Sequence, residues 1–401
     1  MAALVHLVLA VLALVHVVSG LLRLRRPAAF GFPLMLAGLI AGELTRWFAL
    51  LLLVGSGLFL ALGTADTSLG QVAFALTAAS LLGLVVLEVR GRRAARVVAP
   101  VVADLPPALP HPARVPSPWR PVRFSSDRVE VRRDLVYGEH ERHRLDVWRP
   151  KDADGTAPVL LQIHGGAWVS GTKETQGRPL MKHLAERGWV CAAMNYRLAP
   201  KQGRWPAQLV DVKRVIAWLR EHAAEHGADP SWLAVTGGSA GGHLTALAAL
   251  TAQRPEYQPG FEDADTSVQA AVPFYGVFDF ADRFGIRGGR GMRPFLERMV
   301  MPTRFRDDPT GWDDASPLAV VCEAAPPMLV VHGTHDLLAP VEEARAFVTA
   351  MRAVATSEVR YLELPGAQHA FDIVESPRTI AVVDGVTRFL EAVHARRQPV
   401  G

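Results

Sequence analysis

Residues 233–250 read Leu-Ala-Val-Thr-Gly-Gly-Ser-Ala-Gly-Gly-His-Leu-Thr-Ala-Leu-Ala-Ala-Leu, and no other stretch narrows the fold as much. It opens as an apolar run of strand type. It crosses Gly237-Gly238-Ser239-Ala240-Gly241 and continues as an Ala- and Leu-rich helix. A strand that enters a helix through a G-x-S-x-G turn must bend sharply, with the serine strained so that its hydroxyl stands clear of the backbone. Gly237 and Gly241 flank that serine because a Cβ at either place would collide with the turn or the neighbouring strands. The helix that follows turns its first N–H groups toward the serine, where negative charge is favoured.

Around this unit the pattern alternates between strand and helix. Strands are expected at 129–136, 143–148, 159–163, 190–195, 233–236, 268–274, 328–332 and 359–364, and helices at 179–187, 206–226, 241–251, 341–355 and 378–395. No helix separates the first two strands, so they should form an antiparallel hairpin. The remainder predicts a parallel sheet with helices on both faces, an α/β fold with a mostly parallel eight-stranded sheet. A loop at 253–266 and a segment at 279–316, rich in Phe, Arg and Met, break the alternation. The second is expected to form a lid or pocket wall.

Residues 1–98 differ in kind. Apolar stretches at 2–22, 30–42, 47–63 and 69–87 lack the polar face of a soluble helix and predict an all-α transmembrane anchor. The stretch at 30–42 is too short to cross a bilayer, which takes ~20 residues. This region holds eight arginines against three acids, a charge of +5 in a chain of +4, so the basic balance belongs to the membrane flanks and not to a nucleic-acid surface. Three full spans, with 30–42 at the interface or folded back, put the clusters Arg23–Arg25–Arg26 and Arg90–Arg96 on one side, which the positive-inside rule makes cytoplasmic. Four spans would split them. The contact expected with membrane lipid runs through residues 1–88. Glu43 and Arg46, three apart, could pair on a helix. Eight prolines in residues 100–121 predict an extended linker over 99–127, ahead of a catalytic domain at 128–397. Cys191 and Cys322 read as buried thiols, and neither a disulfide framework nor a metal site can be drawn from two cysteines.

A serine nucleophile needs a base, an acid to orient the base and donors for an oxyanion, supplied by loops at the carboxyl ends of parallel strands. Asp336, after strand 328–332, is the acid candidate. His369, after the last strand, is the base candidate, because a loop there lets an imidazole reach back over the sheet. His164-Gly165-Gly166-Ala167-Trp168 follows strand 159–163 and predicts an oxyanion hole from the N–H groups of Gly165, Gly166 and Ala240, with Trp168 and His164 as candidate substrate-binding residues.

His164-Gly-Gly-Ala-Trp, Asn195-Tyr-Arg-Leu-Ala-Pro200, Trp205-Pro-Ala-Gln-Leu-Val-Asp211-Val and Gly237-Gly-Ser-Ala-Gly-Gly-His-Leu together resemble the α/β-hydrolases of the hormone-sensitive-lipase and carboxylesterase type, and also the branch of acetyl-xylan and feruloyl esterases. The order Ser239, Asp336, His369 is the one that fold uses. The resemblance covers residues 128–395 and implies a membrane-anchored serine carboxylesterase. Such an enzyme would act through an acyl-enzyme, without metal or organic cofactor, on a small-molecule or lipid-like ester. An amidase, peptidase or aryl-formamidase on the same fold, or a non-catalytic membrane-tethered binding protein, are the alternatives. Oligomeric state is not legible. Gly238 stands where many relatives carry Asp, Lys201 where Glu is frequent, and Ala370 where Gly is commoner. The relatives' N-terminal cap helices are replaced by the anchor and linker.

Overall fold

The computed structural model describes the chain except for residues 24–27, 108–116, 118, 123–124, 154, 253, 288–290 and 397–401. Arg25 and Arg26 of the first basic cluster, and Pro110, Pro112, Pro116 and Pro118 of the proline-rich stretch, lie outside the described residues.

The N-terminal part is helical: α1 (Ala2–Leu21), α2 (Ala28–Glu43), α3 (Thr45–Ala61), α4 (Ser68–Arg92) and α5 (Ala94–Val101). α1 and α4 run side by side in the same direction. His6 stacks on Phe59 at 4.3 Å and meets the edge of Phe74 at 4.5 Å near one end. Near the other, Arg90 Nη1 donates to the Leu21 carbonyl at 2.9 Å. The two helices can touch because Gly83 lies under Val17, where a Cβ would come within 2.3 Å of that side chain. α3 runs the opposite way, with Arg46 beside Glu88 (2.8 Å) and Phe59 beside His6. Outward-facing Leu51, Val54 and Leu82 are 65%, 64% and 70% exposed, part of an apolar surface far beyond what a water-facing domain carries. α1 and α4 are long and apolar enough to cross a bilayer, and a third span exists if α2 and α3, which meet at an 89° bend, are counted as one.

α2 departs from the anchor. Its Met35 and Leu39 are buried in the same core cluster as the catalytic part of the chain. Because the chain bends at Leu44, Glu43 and Arg46 do not pair as their spacing suggested. Glu43 instead pairs with Arg378 and accepts a hydrogen bond from Ser376 Oγ (2.6 Å), while Arg46 pairs with Glu88. The helix past α4 extends through Pro100 to Val101, and Val98, Val102 and Leu105 are pressed into that same core. Each such side chain contributes about 1.5–3 kcal/mol on burial. The N-terminal helical region is therefore packed onto the sheet domain along residues 94–105, with Asp104 paired to Arg360 at 2.6 Å.

The catalytic part is a single eight-stranded sheet in the order β1-β2-β4-β3-β5-β6-β7-β8. The strands are β1 (Val129–Val136), β2 (Arg144–Pro150), β3 (Ala157–Ile163), β4 (Val190–Met194), β5 (Ala228–Gly238), β6 (Ala270–Phe274), β7 (Met328–Gly333) and β8 (Val359–Leu364). β1 and β2 form the expected hairpin, β2 is antiparallel to β4, and the remaining pairs are parallel. The strands bury side chains on both faces, as a covered parallel sheet requires: along β5, Leu233 and Val235 enter one core cluster, Trp232 and Ala234 the other. On the first face lie α7 (Ala207–His222), α8 (Ala240–Leu250) and α11 (Val341–Val354). On the second lie α6 (Arg178–Glu186), α12 (Pro377–Ala395) and α5.

The segment between β6 and β7 carries two short helices, α9 (Arg293–Met299) and α10 (Pro309–Asp314). Leu296, Val300, Met301 and Trp312 join the α8-side core. The segment is tied down by backbone bonds from Trp205 N–H to Val300 (2.9 Å) and from Leu318 N–H to Phe278 (2.9 Å).

Candidate active site

Ser239 occupies the corner between β5 and α8 at φ 61°, ψ −121°, a conformation costly for a residue with a Cβ. Its surroundings enforce it. The Ser239 N–H donates to the Phe274 carbonyl at 3.0 Å. A Cβ on Gly237 would lie 2.5 Å from the Ile163 carbonyl oxygen, and one on Gly241 2.1 Å from the same atom. Glycine at both places is what lets β3 and the elbow close on each other. Ser239 remains partly open to solvent, while Ala240 and the rest of α8 are buried.

Asp336 and His369 come from the loops after β7 and β8, as their places in the sequence suggested. His369 Nδ1 and Asp336 Oδ2 are 2.6 Å apart, so the imidazole donates from Nδ1 and leaves Nε2 for a substrate-side proton. Asp336 is fixed in turn by two backbone donors, the N–H groups of Leu338 and Ala339, each 2.8 Å from Oδ1. Burial alone would raise its pKa. The charge and hydrogen bond of His369, with His332 and the Ala339 N–H behind them, hold it below the usual carboxylate value.

The glycine loop after β3 differs from expectation in one donor and two side chains. The Gly165 N–H donates to Gln176 Oε1 at 2.6 Å, so this donor is engaged. Gly166 (φ 114°) and Ala167 (φ 53°) adopt left-handed backbone, and among the described residues their N–H groups and that of Ala240 donate to no protein acceptor. His164 and Trp168, expected to bind substrate, are both 1% exposed. The His164 ring stacks on Tyr196 at 4.2 Å, and its Nδ1 donates to the Gly165 carbonyl at 2.6 Å. Burial pushes its pKa down to about 4. Trp168 Nε1 donates to His243 Nδ1 at 3.2 Å, and His243 Nε2 donates to the Ala315 carbonyl at 2.8 Å. These side chains brace the loop and link it to the segment after β6. They present nothing to an open pocket because all their polar atoms are turned inward to partners.

Two residues not singled out from the sequence complete the site. Tyr275, fully buried at the end of β6, lies 4.7 Å from His369 between ring centroids, and its hydroxyl donates to Asp372. Burial, more than any other cause, raises both the Tyr275 and Asp372 pKa values. A Cβ on Gly238 would fall 2.5 Å from the Tyr275 hydroxyl. This explains the departure at position 238: the space beside Ser239 is taken by a tyrosine. Among the described residues no group of three or more His, Cys, Asp or Glu could hold a metal ion.

The strand order, the elbow after β5 and the loops after β7 and β8 define an α/β-hydrolase. Residues 145–351 match the BD-FAE family, and the chain belongs to that family of α/β-hydrolase-fold esterases. It is 49% identical over 286 residues to the probable carboxylic ester hydrolase LipM of Mycobacterium tuberculosis, covering 71% of this chain and 66% of that one. It is 45% identical to esterase LipC of the same organism, covering 73% and 72%. The chain thus spans 66% of the length of the first of these relatives. The apo form of Thermogutta terrifontis esterase 2 superposes with a TM-score of 0.52 at 28% identity, over 66% of this chain and 92% of that one.

Proposed function

We propose that the protein is a membrane-anchored serine carboxylesterase. The observation that carries the reading is the 2.6 Å His369–Asp336 bond, with Ser239 held at positive φ on the elbow. Ser239 Oγ attacks the ester carbonyl while His369 Nε2 takes its proton. The imidazolium so formed is stabilised by Asp336 and then protonates the leaving alcohol. Gly166, Ala167 and Ala240 receive the oxyanion, since Gly165 is engaged by Gln176. Water, activated by the same histidine, releases the acid.

In this reading α1, α3 and α4 cross the membrane and α2 lies at its surface against the catalytic domain. Arg23 and Arg90–Arg96 then share one side with that domain, which places it in the cytoplasm. The anchor with its packed extension runs to residue 105, a linker follows to 127, the catalytic domain runs from 128 to 397, and the segment 279–316 walls the acyl pocket. The substrate is a carboxylic ester whose acyl and alcohol parts remain to be measured.

The test is turnover of p-nitrophenyl esters of rising acyl length, beside matched amides, with Ser239→Ala as the blank. Loss of at least about a thousandfold in kcat is expected for that variant. Near-normal ester hydrolysis by Ser239→Ala would remove the serine from the mechanism. Faster cleavage of the amides would replace the esterase by an amidase.

A further inference from the structure

Where the ends of α1 and α4 meet the loops carrying Asp336 and His369, the structure leaves a cleft of about 500 Å³. Arg90, Arg93 and Arg378 line it, with His335, Gly366 and the apolar Leu21. Its charge is unbalanced. The neighbouring arginines are matched by acids: Arg23 by Glu342, and Arg46 and Arg92 by Glu88. Arg90 and Arg93 meet no carboxylate among the described residues, and the Arg93 side chain has no hydrogen-bond partner there either. Arg378 gives Nη1 to Glu43, while its Nη2 is buried with no partner. An arginine nitrogen buried without an acceptor is costly, and one that borders an open cleft can be relieved by an acceptor from outside the chain.

The depth of the cleft points to the kind of acceptor. It sits at the end of the apolar helices, level with the turn from α2 to α3. There Trp47 and Trp119, 43% and 54% exposed, pack edge to face at 6.3 Å, and the Arg46 guanidinium lies 5.4 Å from the Trp119 ring centroid. Half-exposed tryptophans with arginines at the end of apolar helices mark the headgroup layer of a bilayer. Free cations at that level meet lipid phosphates, and the apolar Leu21 edge suits the start of an acyl chain.

We infer that this cleft binds the headgroup phosphate of an anionic phospholipid, held by Arg90 and Arg93 with Arg378 behind them, and that its occupation steadies the catalytic loops. The route is short. The Arg90 stem lies against Gly366, where an added Cβ would sit 3.8 Å from Arg90 Cδ. The Gly366 N–H donates to Thr334 Oγ1 (2.9 Å), and the His335 N–H to the Ala367 carbonyl (3.0 Å). The loop bearing His369 and the loop bearing Asp336 are thus stitched together along one wall of the cleft. Lipid bound there acts on the Asp336–His369 pair without touching the substrate.

This inference rests on the membrane placement proposed above, and the experiment separates the two. The full chain is reconstituted into vesicles of phosphatidylcholine alone, or of phosphatidylcholine with phosphatidylglycerol. Turnover of p-nitrophenyl acetate is measured, and lipid retained by the protein is read by native mass spectrometry. Phosphatidylglycerol is expected to be retained over phosphatidylcholine and to raise kcat. Arg93→Gln, at a side chain with no hydrogen-bond or ion-pair partner among the described residues, should weaken retention about fivefold and abolish the rise in kcat, whereas Arg306→Gln, an equal loss of charge far along the chain, should do neither. Equal retention by wild type and Arg93→Gln, or no preference for phosphatidylglycerol, overturns the site. Inorganic phosphate that reproduces the activation in phosphatidylcholine vesicles overturns the lipid as its source. Failure of the chain to float with vesicles at all would instead overturn the membrane placement.

Discussion

Replacing Glu43 by Gln tests how firmly the anchor is built into the enzyme. Glu43 ends α2, and the side chains of Glu43 and Arg378 are each only 2% exposed. Glutamine keeps the shape and can still accept from Ser376 Oγ, which is 2.6 Å from Glu43 Oε2. What it removes is the charge that balances Arg378. That guanidinium is already strained electrostatically: burial has pulled its pKa down to about 10, and Nη2 has no acceptor. Breaking a buried pair by deleting one partner costs about 3–5 kcal/mol, because the remaining charge is left desolvated. At ~2.1 cal/mol/K per residue, the 401-residue chain loses about 1.2 °C in Tm per kcal/mol, so the variant should melt about 4–6 °C lower. Thermal unfolding of the full chain in detergent micelles, followed through the tryptophans, is the assay. Glu43→Gln combined with Arg378→Met should recover most of the loss, since a buried pair replaced by apolar groups is close to neutral. A single variant melting with the wild type, or a double variant as unstable as the single, would refute the reasoning.

Two further outcomes follow from the site. His243 and His164 are buried and neutral, their pKa values pushed down by burial to about 3 and about 4, below the ~6.5 of an unfolded chain. Below about pH 6.5 the unfolded state therefore binds more protons than the folded one. Stability is at its plateau above that pH and falls as the solution is acidified toward 4, by up to ~1.4 kcal/mol per pH unit for each histidine. Denaturant unfolding between pH 7 and 5 measures the slope, and His243→Gln, which can keep both the Trp168 and Ala315 bonds, should remove its own share of it, up to ~1.4 kcal/mol per pH unit. Tyr275→Phe keeps the ring against His369 but leaves Asp372 without its hydroxyl donor. A fall of about tenfold in kcat with KM unchanged is expected from steady-state kinetics, and an unaltered kcat would show that Tyr275 only fills space.

The sheet was readable because each strand carries its own local signal. The stretch at 129–136 and the one at 359–364 match β1 and β8 residue for residue, and Ser239, Asp336 and His369 sit on the loops that their flanking strands dictated. What the sequence hid is whatever depends on contacts across long separations. Glu43 suggested Arg46, its neighbour three residues on, yet pairs with a residue 335 positions away, since nothing local foretells the bend at Leu44. Gly165 looked like an oxyanion donor until Gln176, eleven positions on, took its N–H. Trp168 and His164 follow a glycine turn that usually opens onto a cleft, but aromatic stacking on Tyr196 and bonding to His243 turn both inward. Tyr275 had one hint in the chain, a glycine at 238 where relatives carry a larger residue.

The carboxyl-terminal loop of the site is held by residues near the start of the chain. Gln368 Nε2, next to His369, donates to the Ser19 carbonyl at 3.1 Å, across 349 positions, and Glu43 grips Ser376 and Arg378. On the ribosome, α1 and α2 emerge long before their partners are made. The hydrolase core can collapse meanwhile, but the loop bearing His369 finds its final supports only once the N-terminal helices are in place. Under the membrane placement proposed above, a chain left uninserted would hold Ser239 on its elbow but lack the supports of the His369 loop, so that esterase activity would track insertion.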